Sequence, residues 1–169
     1  MNLDHSYAVS VEWTGNRGTG TSAYKAYGRE NIITAAGKHA IEGSSDRVFH
    51  GNVERWNPEE ALVAALSQCH LLSYLHVAVN HGIVVEAYVD SATGTMRQND
   101  AGGGAFVEVT LRPVVTISAG DPEVAREIHH EAGEKCFIAA SVNFPVHHEP
   151  VIRLADDLAH LSAESESTA

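Results

Sequence analysis

The chain has 169 residues, enough to bury a core, and one domain is the default at this length. Its formal charge is −11 with scattered lysine and arginine, which argues against a nucleic-acid surface. Two cysteines are too few for a disulfide framework, so burial, metal binding or redox chemistry are their expected uses. Met1 to Ser10 lacks a basic flank followed by an apolar run, so no signal peptide is expected. The longest apolar stretch is interrupted by Gln68, His70 and His76, so no membrane span is expected, and the simplest location is the cytoplasm.

In chain order, His5 to Trp13 alternates as a strand does. Thr14 to Thr21 reads as a loop from its glycines. Ser22 to Tyr27, Glu30 to Ala36 and His39 to Glu42 read as short strands, and Gly43 to Trp56 as a surface loop. Asn57-Pro58-Glu59-Glu60 then opens a long helix: a good N-cap, proline in the first turn, and acid at the positive end of the dipole. From Ala61 to Val79 it is apolar or small almost all round, which predicts burial on every side. Gly82 is the expected C-terminal stop.

Ile83 to Asp90 reads as a strand and Ser91 to Gly104 as a glycine-rich connection. Ala105 to Ser118 reads as a long strand that pairs with the first in a hairpin, with Pro113 marking an edge or bulge. Asp121-Pro122-Glu123 starts a second helix predicted to run to about Ala139. Val142 to Leu154 is the last expected strand. Residues 1–154 form the expected domain, and the acidic tail 155–169 is expected to fray. The order of strands and helices is that of an α+β fold.

Each cysteine falls on a predicted helix among small residues, Ala65 and Ser73 around Cys69, Ala132 and Gly133 before Cys136. Glycine inside a helix costs roughly 1 kcal/mol against alanine, so Gly133 implies close approach of another element. Packing of the two helices along their small faces would bring the cysteines together. Glu59 lies about 15 Å of helical rise before Cys69, too far to touch it, but it could orient an arginine that lowers the thiol pKa. The plainer role for Glu59 is to complement the helix dipole. Of the eleven histidines, His129-His130 and His147-His148 are adjacent pairs whose side chains diverge. No zinc-finger or H-E-x-x-H spacing is present, so solvated or core histidines are favoured over a metal site. Nucleotide-binding glycine motifs are absent as well.

Asn57-Pro58-Glu59-Glu60, Cys69-His70 ten residues after Glu59, and Cys136-Phe137-Ile138-Ala139 together resemble the OsmC/Ohr family. These are the osmotically inducible protein C and organic hydroperoxide resistance proteins. The resemblance spans about Tyr7 to Val151. It implies an OsmC-like fold with antiparallel sheets around two central cysteine-bearing helices, in an intertwined homodimer. It also implies a thiol peroxidase that turns organic hydroperoxides into alcohols. Cys69 matches the peroxidatic cysteine, Cys136 the resolving one, and Glu59 the glutamate that holds a catalytic arginine. Gly28-Arg29-Glu30 resembles the segment carrying that arginine, so Arg29 is the choice over Arg17 and Arg47. A dithiol reductant is implied, and no metal or organic cofactor. Two departures stand out: Gly133 where histidine is expected in many relatives, and Ala140 where asparagine is common. They keep open a second reading, a non-catalytic dimer that binds an apolar ligand at its interface. A metal-binding protein built on His and Cys ranks third.

Overall fold

A computed structural model describes residues 3–156 of the chain. All but the first two residues of the acidic tail therefore lie outside the described residues. The chain divides into two compact units, with the boundary between Leu62 and Val63, inside the first long helix.

The first unit holds one antiparallel sheet in the order β1 (Ser10–Trp13), β2 (Asn31–Thr34), β3 (Ile41–Gly43). The strand expected at Ser22 to Tyr27 does not form. The Arg29 guanidinium takes the Tyr27 carbonyl at 2.6 Å and the Tyr24 carbonyl at 2.8 Å, so both are satisfied without a ladder. The segment turns instead, with Ala26 N–H donating to the Ala23 carbonyl. After β3 a short 3-10 turn, Arg47–Phe49, leads to the helix α1 (Pro58–Asn80). Its start is a reciprocal cap: Glu60 N–H donates to the Asn57 side chain at 2.8 Å, and Asn57 N–H donates to the Glu60 carboxylate at 3.4 Å.

The second unit contains the rest of α1 and two three-stranded sheets. One has the order β4 (Val84–Asp90), β7 (Pro113–Ala119), β9 (Val151–Leu154), and the other β5 (Thr93–Gln98), β6 (Gly104–Leu111), β8 (Val146–His148). The expected hairpin exists, but both arms change sheet at one point. The glycine-rich connection contains β5, where Gly94 leaves room for the Phe106 ring that a Cβ would strike at 2.7 Å. Asp90 is the pivot. Its carboxylate accepts from Arg112 N–H at 2.6 Å and from the Ser67 hydroxyl at 2.5 Å, tying the break in both arms to α1. Pro113 is the first residue of β7, where a missing N–H costs least. The last expected strand is likewise two, β8 and β9, separated at Glu149-Pro150. Both pair in parallel, with β6 and β7 respectively, so the sheets are mixed rather than wholly antiparallel.

Among the described residues the buried positions of α1 fall on one face, against the expectation of burial all round. Leu66, His70, Tyr74, Val77 and Ala78 are buried, a spacing of three and four residues that makes one stripe. The opposite stripe carries Cys69, Leu72, His76 and Val79, with Leu72 and Val79 exposed. By length and composition alone α1 is apolar enough to cross a membrane, as core helices also can be, and its covered stripe packs into this chain's own core. The helix ends in a Schellman turn, with Ile83 N–H bonded to the Ala78 carbonyl and Gly82 N–H to the Val79 carbonyl, and Gly82 at φ 68°. The core joins this stripe to Val115 and Ile117 of β7 and to Ala125, Ile128 and Ala132 of the second helix, α2 (Pro122–Glu134).

Candidate functional site

Helix α2 is shorter than expected, and Cys136 lies beyond it rather than within it. Asp121 caps its start by accepting from Glu123 N–H at 2.8 Å. At its end the Lys135 carbonyl, free of a helical partner, accepts from the Ser73 hydroxyl of α1 at 3.4 Å. Ala139 N–H, which would continue the helix by bonding to that carbonyl, donates instead to the Cys136 sulfur at 3.4 Å. The chain thus folds into a turn, 136–141, closed by Ala140 N–H on the Cys136 carbonyl.

This turn puts Cys136 against Cys69. Both thiols are free; Cys69 is half-buried on α1 and Cys136 is buried. Burial pushes the Cys136 thiol up to about 11, and its hydrogen bond with Cys69 further favours the protonated form; Ala139 N–H opposes both. Such a thiol is a hydrogen-bond donor to its neighbour and a poor nucleophile. Cys69 opens onto a pocket of about 660 Å³ formed by Leu72, Ser73 and His76 of α1 and by Glu134, Lys135 and Phe137. His76 shares the face of Cys69, as their spacing predicts. The lining is mainly apolar side chain with charged and imidazole groups at its edge. Lys135 is ion-paired to Glu131, which also accepts from His81 at 2.9 Å, so the end of α2 is tied to the end of α1.

The other two sequence candidates lie in the first unit and are not brought to each other. Beyond its two carbonyl bonds, the Arg29 guanidinium sits over the Tyr24 ring at 4.5 Å and the Tyr27 ring at 4.2 Å. No ion pair joins Arg29 to Glu59 among the described residues. Glu59 occupies the first turn of α1, the position that complements the helix dipole.

The helices do not meet along small faces. Rings and hydroxyls span the space between them. His70 of α1 and His129 of α2 share a hydrogen bond of 2.9 Å, and Tyr74 donates to the Ala125 carbonyl at 2.9 Å. His148 of β8 stacks on His70 with ring centroids 4.2 Å apart, and Tyr74 stacks on His129 at 4.0 Å. Gly133 is explained here, since a Cβ at that position would lie 2.9 Å from the His148 ring. The adjacent pairs diverge as expected: His129 and His148 turn inward, His130 and His147 outward. Burial lowers His70 and His129 to about 3, helped by the neighbouring imidazoles, and lowers His148 as well. Sequence reasoning leaves the histidines as solvated or core groups and does not single these three out as one buried cluster. The signal was that His70 and Tyr74 share the covered stripe of α1, and His129 that of α2 with Ala125, Ile128 and Ala132. Among the described residues no group of His, Cys, Asp and Glu is arranged to hold a metal ion.

A family model described as OsmC-like protein matches residues 50–150. The chain belongs to the OsmC-like family. Among solved structures, an OsmC-like protein of unknown function from Vibrio cholerae is 30% identical, with a TM-score of 0.76, covering 88% of this chain and 100% of that one. An organic hydroperoxide resistance protein from Elizabethkingia anophelis shares the fold at 18% identity and a TM-score of 0.63, covering 90% of this chain and 99% of its own. Another, OhrB of Bacillus subtilis, does so at 18% identity and a TM-score of 0.58, covering 88% and 98%. No curated protein matches the chain significantly. Fold and family thus agree with the α+β, OsmC-like expectation.

Proposed function

We propose that this chain is a cysteine-based peroxidase that reduces organic hydroperoxides. The observation that carries the reading is the pairing of a half-buried Cys69, open to a largely apolar pocket, with a buried neighbouring Cys136 whose thiol burial holds in its protonated form. The Cys69 thiolate attacks the outer peroxide oxygen. The O–O bond breaks, the alkoxide leaves and takes up a proton as alcohol, and Cys69 becomes a sulfenic acid. The Cys136 thiol then displaces the hydroxyl as water, forming the Cys69–Cys136 disulfide. A dithiol reductant returns both thiols by exchange and leaves as its own disulfide. Leu72 and Phe137 favour an organic group over hydrogen peroxide.

In this reading Arg29 stabilises the thiolate and the departing oxygen, and Glu59 orients its guanidinium. That role requires residues 24–29 to release Arg29 from the Tyr24 and Tyr27 carbonyls. The homodimer belongs to the same reading, and the exposed Leu72, Val79 and Phe137 support it, as apolar groups left open to a partner. A reducing compartment such as the cytoplasm would keep both thiols ready. Turnover of cumene hydroperoxide and of hydrogen peroxide with dithiothreitol tests the proposal. Faster consumption of the organic substrate supports it, and equal inertness to both contradicts it. The non-catalytic binder keeps one observation in its favour, a second pocket of about 370 Å³ bordered by Gly133, Ala140, Phe144 and His148.

A further inference from the structure

We propose that the stacked histidines His148, His70 and His129 form an acid-sensitive latch that holds the turn bearing Cys136 against Cys69, with His148 as the positioning residue. The proposal rests on the two-cysteine reading for its consequence, though not for its geometry.

Three observations carry it. First, the stack joins the elements that place the two cysteines. His70 follows Cys69 on α1, His129 lies on α2, and His148 on β8 rests against Gly133, whose carbonyl accepts from Cys136 N–H at 3.2 Å. One face of the stack therefore touches the residue from which the Cys136 turn departs.

Second, the stack is built for neutral imidazoles. The bond between His70 Nε2 and His129 Nδ1 needs one ring to donate and the other to accept. With both charged there is no acceptor. His70 and His129 are 0% and 2% exposed, and His70 Nδ1, His129 Nε2 and His148 Nε2 have no hydrogen-bond partner among the described residues.

Third, the acids near the stack are few and already engaged: Glu134 of α2 shares a pocket with His148 but lies 3.5 Å from the His130 ring. Tyr74 of α1 and Tyr88 of β4 are neutral phenols held well above their usual pKa by burial. Arg126 and His130 of α2 and His147 of β8 add positive charge or its potential. Asp90 of β4 is the acid that acts on His148, but its oxygens are already engaged by Ser67 and Arg112. Glu108 of β6 faces the outward His147.

His148 is half-buried at a pocket wall with its Nε2 sealed off; when the latch opens that nitrogen reaches water and the ring takes a proton more readily. Below about pH 6.5 the open form then gains at most a factor of about ten per pH unit for each histidine released. Mild acid thus frees the Cys136 turn before the sheets are disturbed, and disulfide closure slows while Cys69 stays accessible.

Hydrogen exchange on the reduced full-length chain at pH 7.5 and 5.0, corrected for intrinsic rate, tests this. In the wild type the amides of Cys136, Ala139 and Ala140 are expected to lose protection at the lower pH, by at most about thirtyfold, the ceiling for one histidine over 1.5 units. Amides of the β4–β7 ladder should hold theirs. In His148→Gln, which cannot take the charge, the turn should show no such dependence. Gly133→Ala, which crowds the His148 ring, should loosen the turn at both pH values. An unchanged wild-type turn, an equal loss in the β4–β7 ladder, or a full pH dependence in His148→Gln would each overturn the latch. A parallel reaction with cumene hydroperoxide and dimedone separates the two readings. The latch predicts a trapped Cys69 sulfenic acid at pH 5.0 in the wild type and disulfide in His148→Gln. If Cys69 stays unoxidised at both pH values, the peroxidase reading fails while the exchange result still decides the latch.

Discussion

Cys69 lies in mid-helix, half-buried, with one side open to a pocket, whereas Cys136 lies two residues beyond α2 and is 1% exposed. The α1 backbone around Cys69 is a continuous helix with its regular ladder of bonds. The turn around Cys136 adds to a few backbone bonds of its own a sulfur accepting from Ala139, a serine on the Lys135 carbonyl and a histidine ring on Gly133. A fixed, accessible thiol beside a sheltered, protonated and more weakly anchored one is what a two-step oxidation needs. The first must meet substrate, and the second must wait and then move by the small distance that closes a disulfide.

The comparison breaks most completely if the roles are not divided. Cys69→Ser should abolish peroxide consumption altogether, measured by loss of cumene hydroperoxide with dithiothreitol present, because Cys136 alone is buried and held protonated. Next in size, Arg29→Ala should slow oxidation of Cys69 by tenfold or more, the worth of a charged hydrogen bond of about 1.5–3 kcal/mol. Stopped-flow thiol oxidation checks it, and the later closure to disulfide should be unaffected, since Arg29 is assigned to the first step.

The histidine stack sets the acid limit of the framework. Unfolded histidines protonate near 6.5, while His70 and His129 do so near 3 in the fold. Between those values the unfolded chain binds more protons. Stability should therefore be full above about pH 6.5 and fall by a few kcal/mol as pH drops toward 3, read from denaturant midpoints at each pH. The smallest effect expected is for Tyr74→Phe, which keeps the ring on His129 but leaves the Ala125 carbonyl without its hydroxyl donor. About 1 kcal/mol of stability should be lost, with thiol chemistry unchanged.

Much of this was legible in the chain itself where the information is local. The Asn57-Pro58-Glu59-Glu60 and Asp121-Pro122 caps, the Gly82 stop and the position of Cys69 follow from backbone hydrogen bonding within a few residues. What escaped depends on distant partners. Nothing near Lys135 says that Ser73 will take its carbonyl and end α2 before Cys136. Nothing near Arg112 says that Asp90 will bend both arms of the hairpin there. Tyr24 and Tyr27 favour a strand by propensity, and the Arg29 guanidinium overrides them. Gly133 was correctly read as a close approach, but the neighbour is the His148 ring from β8 and not the other helix, because periodicity reports a face without naming what packs on it.

The most direct test of the divided cysteines is thiol counting with intact mass after one equivalent of cumene hydroperoxide, on the wild type and on Cys136→Ser. The account predicts loss of both thiols as a disulfide in the wild type, and a sulfenic or over-oxidised Cys69 in the variant. If both thiols remain free where a known dithiol peroxidase reacts, the account is contradicted, and the pocket beside Cys69 belongs to a protein that binds rather than one that reduces.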